Sequence, residues 1–132
     1  DTFDPLHIEC LRMALEMLYP EYVDVFNKHM ASSKIHLYNM FIMRRDIYDA
    51  YLSWMFEVLR AAEAGIEFDG LTPFEARVMG RISERLLDTW LEVNGVQYVE
   101  CPLVSMEKVR WDKKIVGALT AKFAGKKYTE SF

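Results

Sequence analysis

LYNMFIMRR at residues 37–45 and GRISERLLDTWLEVNG at residues 80–95 are the two stretches on which the fold of this 132-residue chain turns. The first is a nearly unbroken apolar run that ends abruptly in two arginines. Extended back to Ile35, it predicts a strand over 35–43 that is buried on both faces and delivers charge at its mouth. The second reads as helix, but it carries Glu84 and Arg85 inside an otherwise apolar pattern. An ionised pair there is costly unless something nearby needs it.

Working outward, Thr72-Pro73 with Glu75 three residues after the threonine spells a helix start, with Thr72 as N-cap and Pro73 at the first position. That helix is predicted to run to about Val93 and to stop at Asn94-Gly95. A second strand follows over 96–104, where Pro102 suits an edge position. Upstream of the first stretch, Leu6, Cys10, Met13, Leu15, Met17 and Leu18 recur at helical intervals from about Asp4 to Tyr19. Pro20 interrupts them and a short helix resumes over 21–30. Asp46 reads as the cap of a further helix whose stripe is Ile47, Tyr51, Trp54, Met55, Val58 and Leu59, closing near Gly65. Residues 107–124 are weakly helical. The fold class expected is α+β: mainly helical, about five helices, with a small sheet built from strands near 35–43 and 96–104.

At this length one domain is expected over 1–132, standing alone or as the C-terminal fragment of a larger one. A hydrophobic content of 52% with 27% charged residues excludes disorder. No apolar run approaches the roughly 20 residues that span a bilayer. Cys10 and Cys101 make no disulfide framework, which suits a reducing cytoplasm, and the acidic opening DTFDP is not a signal peptide. The net charge of -4 is uneven: residues 1–106 hold 9 basic and 17 acidic groups, residues 107–132 hold 7 and 3, so a tail of +4 follows a body of -8. Such a tail can rest on the acidic body itself or make a peripheral contact with the inner face of an anionic membrane. An acidic body without interleaved aromatic and basic residues argues against nucleic acid.

Taken in order, LRMALEMLYPEYVDVFNKHM, HLYNMFIMRRDIYDAYLSWMFEVL, RVMGRISERLLDTWLEVNGVQYVECPLV and AKFAGKKYTESF resemble the C-terminal half of the glycosyltransferase-like domain of bacterial capsular and exopolysaccharide biosynthesis proteins. The most specific parts are Tyr38 to Met43 and Glu84-Arg85-Leu86-Leu87. The resemblance implies a GT-A-like enzyme using a nucleotide-sugar donor and a saccharide acceptor, of which this chain is the acceptor side. The half that would bind the nucleotide, with its His-Tyr-Arg-Arg-Tyr stretch, has no counterpart before Asp1. The isolated chain is therefore expected to be inactive.

Sugar transfer needs the diphosphate charge neutralised, by a metal or by Arg and Lys, and the acceptor hydroxyl deprotonated. No Asp-x-Asp is present, so no cofactor is assigned to this chain; donor and any divalent metal belong to the full-length enzyme. Glu84 is the candidate general base, with Arg81 or Arg85 orienting it, and the plain alternative is an internal Glu-Arg pair. Arg77, Arg81 and Arg85, spaced by four, share a helical ridge that could hold a diphosphate or could simply be solvated. Arg44 and Arg45 leave a strand end, where open sheets place ligands. Asn39 could read a sugar hydroxyl or tie two backbone segments together. Trp54 and Trp90 fall on apolar stripes and read as core, which leaves Trp111 freer to stack on a sugar. His7, His29 and His36 match no metal spacing. The rival class is a non-catalytic binding or scaffold module of a polysaccharide assembly system. A lost half-domain would also favour self-association.

Overall fold

Residues 5–70, 72 and 75–102 are described by the computed structural model. The chain divides into two compact units at Gln97 and Tyr98. In the second unit the described residues, 98–102, are neither helix nor strand. The helices among the described residues all lie in the first unit: α1 is Pro5–Leu18, α2 is Val23–Ala31, α3 is Arg45–Glu63, α4 is Val78–Ser83 and α5 is Leu87–Val93, with 3-10 turns at Pro20–Tyr22 and Glu75–Arg77.

Helix α1 opens on a proline, whose missing N–H costs nothing in a first turn. It buries Cys10, Leu11, Ala14 and Leu15 on one face. On the other, Arg12 bridges Glu9 at 2.6 Å and Glu16 at 3.0 Å. It ends where Pro20 cannot continue the ladder. Helix α3 lies along α1 and buries Tyr51, Trp54, Met55, Val58, Leu59 and Ala62, the i, i+3, i+4, i+7 stripe of an amphipathic helix. Helix α5 packs on α2, and α4 fits against both α1 and α3. Where they meet, the rings of Tyr22 and Trp54 lie 4.9 Å apart, Tyr51 and Trp90 5.4 Å, and Phe41 and Tyr51 5.7 Å. The C-terminus of α5 is closed by a Schellman motif, with Val96 N–H on the Leu91 carbonyl (3.0 Å) and Gly95 N–H on that of Glu92 (3.2 Å). Gly95 sits at φ +61, as its place after Asn94 predicts.

The expected sheet is absent: no strand occurs among the described residues, and the α+β class gives way to an all-helical body. Residues 35–43 form an irregular crossing between α2 and α3. Tyr38 and Asn39 take φ +77 and +47, which ends any extended run there. The described part of the second expected strand, 96–102, is also irregular and so offers no ladder. The apolar run satisfies itself differently. Phe41 and Met43 pack on the helical core, whereas Tyr38, Met40 and Ile42 are exposed. Two helix boundaries also differ from expectation. Arg44, not Asp46, is the N-cap of α3 and makes no side-chain cap. The single helix expected from Thr72 to about Val93 is broken at 84–86; near its expected start the Thr72 carbonyl accepts the Ala76 N–H at 2.8 Å. Residues 103–104 of the second expected strand, the basic tail 107–132 and Trp111 lie outside the described residues.

Tyr19 links the end of α1 to α3 by donating its hydroxyl proton to Glu57 at 2.6 Å. That bond first, then burial, pushes the phenol up from 10.0 to about 12. A group whose folded value is raised contributes stability below its unfolded value and loses it as pH rises through the folded one. The chain is therefore expected to lose stability between about pH 10 and 12 by an amount that Tyr19→Phe removes. Denaturant titrations of the two proteins across that window check this, and parallel curves would refute it.

Candidate functional site

Among the described residues of the first unit three polar ones are buried, Ser83, Asp88 and Thr89, and all stand on or beside the broken helix. The break has a local cause. Ser83 Oγ donates back to the Gly80 carbonyl at 2.7 Å, a competing bond of the kind that bends helices. Beyond it the amides of Arg85 and Leu86 make i−3 bonds, Arg85 N–H to Ile82 and Leu86 N–H to Ser83, both 3.1 Å. After this bend α5 starts afresh, with Asp88 in its first turn meeting the 32–44 crossing.

Asp88 holds that crossing by both carboxylate oxygens. Oδ2 accepts the backbone N–H of His36 at 2.8 Å, and Oδ1 lies 2.6 Å from His36 Nδ1. Three residues on, Asn39 Nδ2 donates to Ser83 Oγ at 2.9 Å, so the serine hydroxyl both accepts and donates. These bonds fix the segment that contains the two positive-φ residues, a conformation that costs about 1–3 kcal/mol per residue and persists only when its surroundings over-determine it. Asp88 is 7% exposed, whereas the His36 side chain is 41% exposed. Tyr51, fully buried and ring-packed on Trp90, has a hydroxyl without a hydrogen-bond partner. Burial first, and then the charge of Asp88, drives its ionisation well above the usual phenol range.

Of the residues singled out by sequence, Asn39 is brought to this place, one residue short of Glu84. Glu84 caps α4 in the bend and is half-buried, as are Arg81 on α4 and Arg85 in the bend. Arg77 ends the preceding 3-10 turn and is exposed; the break at 84–86 interrupts the ridge that the three arginines would share on one continuous helix. Arg44 and Arg45 stand at the exposed start of α3, where Arg44 Nε donates to Asp46 at 3.1 Å and Arg45 Nε lies 3.6 Å from Asp49. Trp54 and Trp90 are core. Among the described residues no cluster of three or more His, Cys, Asp or Glu is placed to hold a metal. No helix among them is long and apolar enough to cross a membrane.

His36, Ser83, Tyr51 and Asp88 were not legible as site residues. The signal for Asp88 was present: it is an acid inside the apolar helical run ISERLLDTWLEV, the same anomaly that singles out Glu84. Its partner lies 52 positions away, beyond the reach of spacing rules.

Across its described residues the first unit is an all-helical module that clasps an irregular crossing to a bent helix through a histidine-aspartate pair. The chain belongs to the family described as Domain of unknown function (DUF4422), whose model matches residues 2–95. No curated protein and no solved structure matches it.

Proposed function

We propose that this chain forms the acceptor side of a glycosyltransferase that moves a sugar from a nucleotide-sugar donor in capsular or exopolysaccharide biosynthesis. One observation carries the reading. The two segments most specific to the resemblance, Tyr38 to Met43 and Glu84 to Leu87, are far apart in sequence, yet the Asn39–Ser83 bond ties the first to the residue preceding the second. A mere scaffold would have no need to gather those segments around a half-exposed histidine. In this reading the nucleotide is held outside the described residues, among which no strand occurs to build the sheet whose ends usually receive a dinucleotide.

The test uses the native gene product with a panel of UDP-, GDP-, CMP- and dTDP-sugars and saccharide acceptors, reading acceptor-dependent release of nucleotide. Turnover with at least one donor is expected, and none from residues 1–132 alone. A full-length protein that binds saccharide yet releases no nucleotide with any donor would point to the scaffold class instead.

A further inference from the structure

We propose that the 34–45 crossing is a docking surface for an anionic lipid bilayer, a contact distinct from the basic tail at 107–132 and independent of whether sugar is transferred. The stretch KIHLYNMFIMRR holds three cations, Lys34, Arg44 and Arg45, and no acid, on a body whose first 106 residues carry 9 basic and 17 acidic groups. Phe41 and Met43 pack on the helical core. The side chains that alternate with them do not: Tyr38 is 70% exposed, Met40 60% and Ile42 fully. Tyr48, in the first turn of α3 and partly exposed, adds a ring 6.2 Å from that of Phe41. Exposed apolar side chains gathered in this way mark a contact surface. They are held outward, because the Asn39–Ser83 bond at 2.9 Å and the Asp88 bond to the His36 main chain at 2.8 Å fix a backbone with φ +77 at Tyr38 and +47 at Asn39.

Charge selects the occupant. Two copies meeting through this segment about a two-fold axis would set its cations against each other, which is unfavourable. A saccharide asks for converging polar groups, and the side chains of Met40 and Ile42 offer none. An anionic bilayer satisfies both features. Apolar side chains enter the boundary between headgroups and acyl chains, where a tyrosine ring sits with its hydroxyl wet. Long basic stems set their charge at the lipid phosphates, each such group near the surface strengthening binding about fivefold. Arg44 and Arg45 already face carboxylates, Asp46 at 3.1 Å and Asp49 at 3.6 Å, but all four side chains are well exposed. Pairs of this kind contribute little, so a lipid phosphate can take the place of the carboxylate. A bilayer reads apolarity and charge rather than particular side chains, so other apolar residues can stand in for Tyr38, Met40 and Ile42.

The experiment has two arms. In the first, the chain is sedimented with vesicles of phosphatidylcholine and with vesicles of phosphatidylcholine and phosphatidylglycerol in equal parts. Binding to the anionic vesicles is expected, weakened by raised salt. Tyr38→Ser, Met40→Ser and Ile42→Ser made together should weaken it about tenfold or more, with the fold retained because all three sites are exposed. Lys34→Gln should weaken it about fivefold. In the second arm, Ile42→Cys in a Cys101→Ser background carries an environment-sensitive fluorophore, Cys10 being buried. Its emission should shift to the blue on anionic vesicles and be quenched by lipids brominated in the acyl chain. An unmutated chain that stays in solution, a triple variant or Lys34→Gln variant that binds within twofold of it, or an unshifted fluorophore would each overturn the proposal. A triple variant that loses self-association in sedimentation velocity, with vesicle binding unchanged, would overturn it in favour of a second copy. None of these results touches the transferase reading, which the donor panel tests by itself.

Discussion

Replacing Tyr51 by alanine is expected to cost about 3–5 kcal/mol and to lower Tm by roughly 10–20 °C. The ring is fully buried and touches three parts of the unit at once: Phe41 from the crossing at 5.7 Å, Trp90 from α5 at 5.4 Å and Trp54 from its own helix at 6.4 Å. A cavity there has rigid aromatic walls from separate elements, so collapse can recover little of the loss. Against a total stability of about 5–15 kcal/mol, this is a large share. The companion Tyr51→Phe separates ring from hydroxyl. The buried hydroxyl has no hydrogen-bond partner, so removing it should gain about 1 kcal/mol. Thermal unfolding of both variants decides the matter, and a Phe variant as unstable as the Ala variant would show that the hydroxyl, not the ring, is what the core depends on.

The second large effect is local. Asp88→Ala deprives the His36 amide and ring of their acceptor, bonds to a charged group that contribute about 1.5–3 kcal/mol each. The crossing can find water once released, which brings the expected net loss to about 2 kcal/mol. Amide exchange over 36–43 should accelerate far more than in α1 or α3, and trypsin should cut at Lys34, Arg44 and Arg45. Exchange that quickened evenly across the whole body would contradict the clasp.

Helices α1, α2 and α3 were legible because a 3.6-residue apolar stripe and a proline at Pro20 act locally. The crossing misled because nine mostly apolar residues suit a strand or a packed irregular segment equally, and a strand also needs a partner. Nothing in Tyr38-Asn39 announces two consecutive positive φ values, since neither is glycine. The break at 84–86 was hidden for a similar reason. Between Arg81 and Val93 there is neither glycine nor proline, and the bend arises from one serine hydroxyl whose choice of acceptor is settled only in three dimensions. Glu84 drew notice as a charge among apolar residues, yet burial selects Asp88 one turn later.

Because one carboxylate serves both the main chain and the imidazole of the same histidine, a single codon governs two traits at once. A lineage that alters Asp88 changes the path of the crossing and the setting of the His36 ring in one mutational step. Divergence is therefore expected along the outward residues Tyr38, Met40 and Ile42, with that codon left untouched.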